Sequence, residues 1–168
     1  RIPVGTFFVS RGASAQNMVA TAEATATLTG DGWAPVSVSA ACANRPRDVP
    51  ADDDTFTVRR SPQQQELQRL MPALAKAGAD SKVEQAAVWI VTDDADYDDL
   101  GILVSRSIYQ VFGGTRVINE EEVALAMKIC GEAGIDIRRK AIWGDVSEIL
   151  DGLDDEDLKA WLKQRGKS

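Results

Sequence analysis

A chain of 168 residues, 44% apolar and 27% charged, has room for one domain, or two small lobes sharing a core, of ordinary soluble composition. Its net charge of −7 repels phosphate backbones and argues against nucleic acid as a partner, and no run approaches the roughly 18 apolar residues of a membrane span. With no histidine, Ser-His-Asp and Cys-His catalysis are excluded, and two cysteines are too few for a structural zinc site.

The first 60 residues carry strand signals. PVGTFFVS (3–10) is rich in β-formers, and NMVATAEATATLTG (17–30) alternates small and threonine residues. Gly30-Asp31-Gly32 marks a turn before a return strand, WAPVSVSAACAN (33–44). RPRDVPADDD, with its prolines and acidic run, predicts a loop, and TFTV (55–58) a short fourth strand.

From residue 61 the apolar period changes from two to about 3.6. Ser61-Pro62-Gln63-Gln64 predicts a capped helix start, with Leu67, Leu70, Met71 and Leu74 inward and Gly78 as the stop. Ser81 with Glu84 predicts a capping box that opens a second helix to about Thr92. Tyr97, Leu100, Val104, Ile108 and Val111 form a third stripe, ending at Gly113-Gly114. Asn119 with Glu122 opens a fourth, with Val123, Ala126, Met127 and Cys130 inward, and short helices around 145–151 and 155–165 follow. The fold class implied is α+β: an N-terminal antiparallel β-rich half (1–60) packed against a C-terminal helical half (61–168), one compact domain overall.

Two residues invite a chemical question. Val36, Val38, Ala40 and Cys42 share a strand parity, which predicts that Cys42 faces the core where the strand leaves the sheet. The bland alternative is a small core hydrophobe. On the second helix, Val83, Ala86, Ala87 and Ile90 make one apolar face, and Gln85, Val88, Trp89 and Thr92 another. Gln85 is therefore expected beside Trp89 in a dry setting. An unpaired buried amide costs about 1–3 kcal/mol, so Gln85 must be bonded, either to the backbone of a neighbouring loop or as the partner of Cys42. With Ser81 as cap, Gln85 is the fourth helical residue, its carbonyl near free helix N–H donors that suit a developing oxyanion. Attack by the Cys42 thiolate would expel ammonia and leave an internal thioester.

Cys42-Ala43-Asn44 and Gln85-Ala86-Ala87-Val88-Trp89 resemble the two signatures of bacterial Cys-Gln thioester domains, the TQXA-type modules of surface adhesins. Glu84 and Ala41 depart from the residues that family prefers before its Gln and Cys. The resemblance implies an extracellular or cell-surface binding and adhesion module. It would be covalent through a Cys42–Gln85 thioester attacked by a partner amine, with a lysine on a protein or a glycan ligand as target. It further implies a single turnover rather than enzyme catalysis, no cofactor or metal, no membrane span in this chain, and a monomer. The chain opens on Arg1, as expected of a fragment or processed product, so no compartment follows from the absence of a signal peptide. Cys130 is expected as a core thiol, with a Cys42–Cys130 disulfide as the rival in an exported protein.

Two other readings compete. One is a non-covalent protein- or glycan-binding domain lacking the thioester, with Trp33 lining a groove. The other is an Asp-dependent metal hydrolase: VTDDADYDDLGIL (91–103) resembles the metal-binding start of nucleoside hydrolases, with Asp94, Asp98 and Asp99 as oxygen ligands for calcium. The bland alternative there is that Asp96 caps the next helix and its neighbours favour the helix N-terminus. Asp52-Asp53-Asp54 and Asp154-Asp155-Glu156-Asp157 are read as a solvated loop and an acidic first turn.

Overall fold

The computed structural model describes residues 1–30, 32–101 and 117–167. Four short strands, β1 (Phe7–Ser10), β2 (Asn17–Ala20), β3 (Ala40–Ala43) and β4 (Phe56–Arg59), form one antiparallel sheet in the order β3-β2-β1-β4. Six α-helices are described after it: α1 (Gln64–Ala77), α2 (Ser81–Thr92), α3 (Tyr97–Gly101), α4 (Glu120–Glu132), α5 (Val146–Gly152) and α6 (Glu156–Gly166). The architecture is α+β. Val104, Ile108 and Val111, the rest of the expected third stripe, lie outside the described residues, as does Asp31 of the expected turn.

The strands are shorter than the alternation predicts. Among the described residues between 22 and 38, the pairing is reduced to an isolated bridge of Ala24 with Ile2, and Leu28, Trp33 and Val36 are exposed. Threonine-and-alanine alternation supplies β-propensity but little apolar area, so only stretches that meet a helix layer stay paired. One face of the sheet carries Phe7, Val19, Ala41 and Ala43 into a single apolar cluster with Leu67, Leu70, Met71 and Leu74 of α1 and the buried faces of α2 and α4.

Helix starts follow the local chemistry, displaced by two residues at α1, by one at α2 and not at all at α4. Asp80, not Ser81, caps α2, its carboxylate accepting from the N–H groups of Lys82 and Val83 at 2.9 and 3.0 Å. A carboxylate one position earlier out-competes the serine hydroxyl, so Ser81 becomes the first helical residue and Gln85 the fifth. At α1, Ser61 Oγ accepts from the Gln63 N–H while the Ser61 N–H reaches Gln64 Oε1, and the helix proper begins at Gln64. Asn119 and Glu122 form the expected capping box of α4, and Val123, Ala126, Met127 and Cys130 are buried.

Candidate functional site

The register of β2 and β3 decides where Cys42 looks. The Thr21 N–H donates to the Ser39 carbonyl at 2.9 Å. The alternation of an antiparallel ladder then makes Val19↔Ala41 and Asn17↔Ala43 the hydrogen-bonded pairs and Met18↔Cys42 the other kind. The main-chain N–H and C=O of Cys42 therefore point away from β2, off the edge of the sheet.

Helix α2 runs along that edge. The Cys42 N–H donates to Gln85 Oε1 at 2.9 Å, and Gln85 Nε2 donates to the Cys42 carbonyl at 2.8 Å. The side-chain amide thus behaves as one peptide unit of a missing fifth strand. The next outward-facing residue, Asn44, adopts left-handed backbone (φ 64°), and its N–H and that of Arg45 donate to the Asp93 carboxylate at 3.2 and 2.8 Å. The Arg45 guanidinium pairs with Asp99. At the other end of the helix, Thr21 hydrogen-bonds the Glu84 carboxyl. The edge itself is held by Gln85 of α2 and by Asp93, the residue that caps the end of that helix.

Two expectations about this pair are corrected. Cys42 does not face the core: Ala41 and Ala43 are the buried residues of β3, while Ala40 and Cys42 are only partly buried on the opposite face, in a row with Met18, Phe8 and Val58. The parity is set by the buried Val19 across the ladder, not by Val36, which lies outside the strand and is exposed. Nor do the helix N-terminal donors serve the Gln85 carbonyl. Asp80 already takes the N–H groups of Lys82 and Val83, and the donor on Gln85 Oε1 is the N–H of Cys42 itself.

Both cysteines are free thiols. Burial pushes the Cys42 thiol above its ordinary pKa, and it pushes Cys130, fully enclosed in the core, up to about 12. Cys130 is thus an inert packing residue, as its helical stripe predicts. Trp89 lies one turn beyond Gln85, only 3% exposed, and its buried indole N–H has no hydrogen-bond partner among the described residues.

Asp93, Asp94, Asp96 and Asp99 each accept a backbone N–H within the fold. Asp94 accepts from the Ala141 N–H at 2.9 Å, and Asp96 and Asp99 each accept from the other's N–H at 2.8 and 3.3 Å. Asp98 is exposed, and among the described residues no three carboxylate or thiol groups converge as a metal site would require. Asp94 and Asp99 are held in separate bonds rather than turned toward a common point. Trp33 is 89% exposed and lines no described cleft. Sequence patterning missed the Asp93 latch. Its one signal was an aspartate just past the predicted end of α2, where a helix C-terminus gives a carboxylate no local reason to sit.

A comparison with protein-family models, with curated proteins and with solved structures finds no match to this chain.

Proposed function

We propose that this chain is an extracellular binding and adhesion module whose Cys42 and Gln85 form an internal thioester, and that a partner's amine opens it to leave a covalent bond. The observation that carries the reading is the reciprocal pairing of the Gln85 amide with both main-chain groups of Cys42. That pairing lies in the plane of the sheet edge, whereas the Cys42 side chain stands roughly perpendicular to it. Sγ is then displaced to one face of the amide, the side from which a nucleophile adds to a carbonyl carbon.

The chemistry follows from those positions. Sγ adds to Gln85 Cδ while the Cys42 N–H at 2.9 Å holds the oxygen as it gains charge. The Cδ–Nε2 bond breaks, and the thiol proton leaves with the nitrogen as ammonia. A partner's primary amine later adds to the same carbon. The new C–N bond forms as the C–Sγ bond breaks, and an amine proton returns to the sulfur. Cys42 is only partly buried, so the amine has an approach that a fully enclosed cysteine such as Cys130 would deny it. Burial that raises the thiol pKa makes sulfur a poorer leaving group, which slows hydrolysis of the thioester by water.

Intact mass of the unreduced protein is the test. A chain lighter than its sequence by one ammonia, restored by hydroxide and increased by methylamine, is the expected result. A chain of full calculated mass that never adds methylamine overturns the reading and leaves Gln85 as a hydrogen-bonding clasp. The ligand would then be held without a covalent bond.

A further inference from the structure

The opposite edge of the sheet has a different character. The Arg11 N–H donates to the Thr55 carbonyl at 2.8 Å, so in the β1–β4 ladder Val9↔Thr57 and Phe7↔Arg59 are the hydrogen-bonded pairs. The main-chain groups of Phe56 and Val58 therefore point outward, and among the described residues nothing bonds to them. Val58 is 65% exposed. This edge is a strand template with two donors and two acceptors unfilled.

We propose that β4 pairs antiparallel with β4 of a second copy of this chain, giving a two-fold dimer with one continuous eight-stranded sheet. The segment Asp54-Thr55-Phe56-Thr57-Val58-Arg59-Arg60 is complementary to itself when reversed about Thr57. In that register Phe56 meets the partner copy's Val58, which joins the outward-pointing groups on each side. Asp54, just before the strand, accepts from the Ala51 N–H at 2.8 Å through one carboxylate oxygen, and the other is left to meet the partner copy's Arg60 at both ends of the contact. These four side chains share one parity, so the apolar pairs and the flanking ion pairs lie on the same face. Among the described residues neither Arg59 nor Arg60 has a carboxylate partner within the chain. Shifting the register by two residues sets Asp54 against Val58 or Arg60 against Phe56, so the centred pairing is the one that leaves no charge opposite an apolar residue. Four residues per strand make a small contact, and the dimer is accordingly weak and concentration-dependent rather than obligate. It stands as an alternative to the expected monomer, and it does not depend on the thioester.

Sedimentation equilibrium of the full chain, from about 1 µM to about 1 mM, tests it. Wild type shifts from monomer toward dimer across that range. Arg60→Asp places like charges together twice and weakens the dimer roughly tenfold or more. The double variant Asp54→Arg with Arg60→Asp restores it to within about threefold of wild type, and added salt weakens it. Val58→Lys, a change at an exposed position, weakens the dimer without altering the circular dichroism of the fold, and it serves if the charge variants unfold. A monomer throughout overturns the proposal. A dimer indifferent to Arg60 and Val58 does so as well, because it must use another surface.

Discussion

The two edges of this four-stranded sheet end in opposite ways. At β3, the outward-facing groups are met from within the chain: Gln85 of α2 takes both main-chain groups of Cys42, Asp93 at the C-cap of α2 takes the N–H groups of Asn44 and Arg45, and the Arg47 N–H donates to the Asn44 carbonyl. At β4, Phe56 and Val58 present the same kind of groups to solvent. The difference teaches what Gln85 is for before any covalent chemistry is considered. An edge strand can be closed by a helix only if the helix carries polar side chains that imitate a peptide, because a purely apolar helix face would bury the edge and leave its donors unpaired. A glutamine amide has the donor and the acceptor in the spacing required. The same imitation brings an electrophilic carbon against a cysteine, so closing the edge and positioning a reaction are one arrangement.

The largest effect is expected from breaking the closed edge at its centre. Gln85→Ala strands the N–H and C=O of Cys42, a loss of about 1–3 kcal/mol from hydrogen bonding alone. A thioester would add the closure of the chain between residues 43 positions apart. In the chain-entropy model such a cross-link contributes about 3–4 kcal/mol. Cys42→Ala, a small cavity at about 1 kcal/mol without the bond, would then cost nearly as much as Gln85→Ala. The double variant would cost little more than either one, since each removes the same link. Denaturant unfolding of the three variants distinguishes the cases. Additive losses would reduce the pair to an ordinary hydrogen-bonded contact.

A proline scan of the two edges sharpens the contrast. Val58→Pro removes an N–H that points to solvent, so in dilute protein it is expected to cost under about 1 kcal/mol. Cys42→Pro removes the N–H that donates to Gln85 at 2.9 Å and should cost about 3 kcal/mol or more. Native-state hydrogen exchange reports the same difference without mutation, with the amides of Cys42 and Arg45 protected and those of Phe56 and Val58 fast. Equal protection on both edges would remove the distinction.

The sequence carried the two-layer organisation because period-two and period-3.6 patterns are local properties, and residues 61–100 and 119–165 show the second clearly. It also carried the pairing of Cys42 with Gln85, but through a motif resemblance rather than through geometry. Which face Cys42 occupies was not legible. Parity depends on the strand's true start at Ala40 and on the buried Val19 across the ladder, and both are tertiary facts. The oxyanion donor was misassigned for a related reason. Asp80 and Ser81 are both good caps, and a shift of one residue moves Gln85 from the helix N-terminus to the sheet edge. Asp93 was invisible because its partners are backbone amides nearly 50 residues earlier in the chain, and no side-chain pattern announces a backbone partner.

The smallest expected effect concerns the start of the closed edge. Glu84 precedes Gln85 and hydrogen-bonds Thr21 at the end of β2. Burial raises its carboxyl pKa, against the opposing pull of the Thr21 bond and with a further push from Asp80. A carboxyl with a raised folded-state pKa holds more protons folded than unfolded, so its contribution to stability declines as pH rises. The decline begins near the ordinary glutamate value and is complete above the raised one. Glu84→Gln keeps a neutral hydrogen-bonding group and abolishes that titration. The stability of wild type relative to Glu84→Gln is therefore expected to fall as pH rises past the ordinary glutamate range, about pH 4, and to level off once the raised pKa is passed. Measuring the difference cancels the other carboxylates, which titrate in both proteins. A flat difference would place Glu84 in solvent in the folded state. A rising one would mean that the Thr21 bond favours the anion more than burial opposes it, and the α2 clasp would then be tightest when Glu84 is charged.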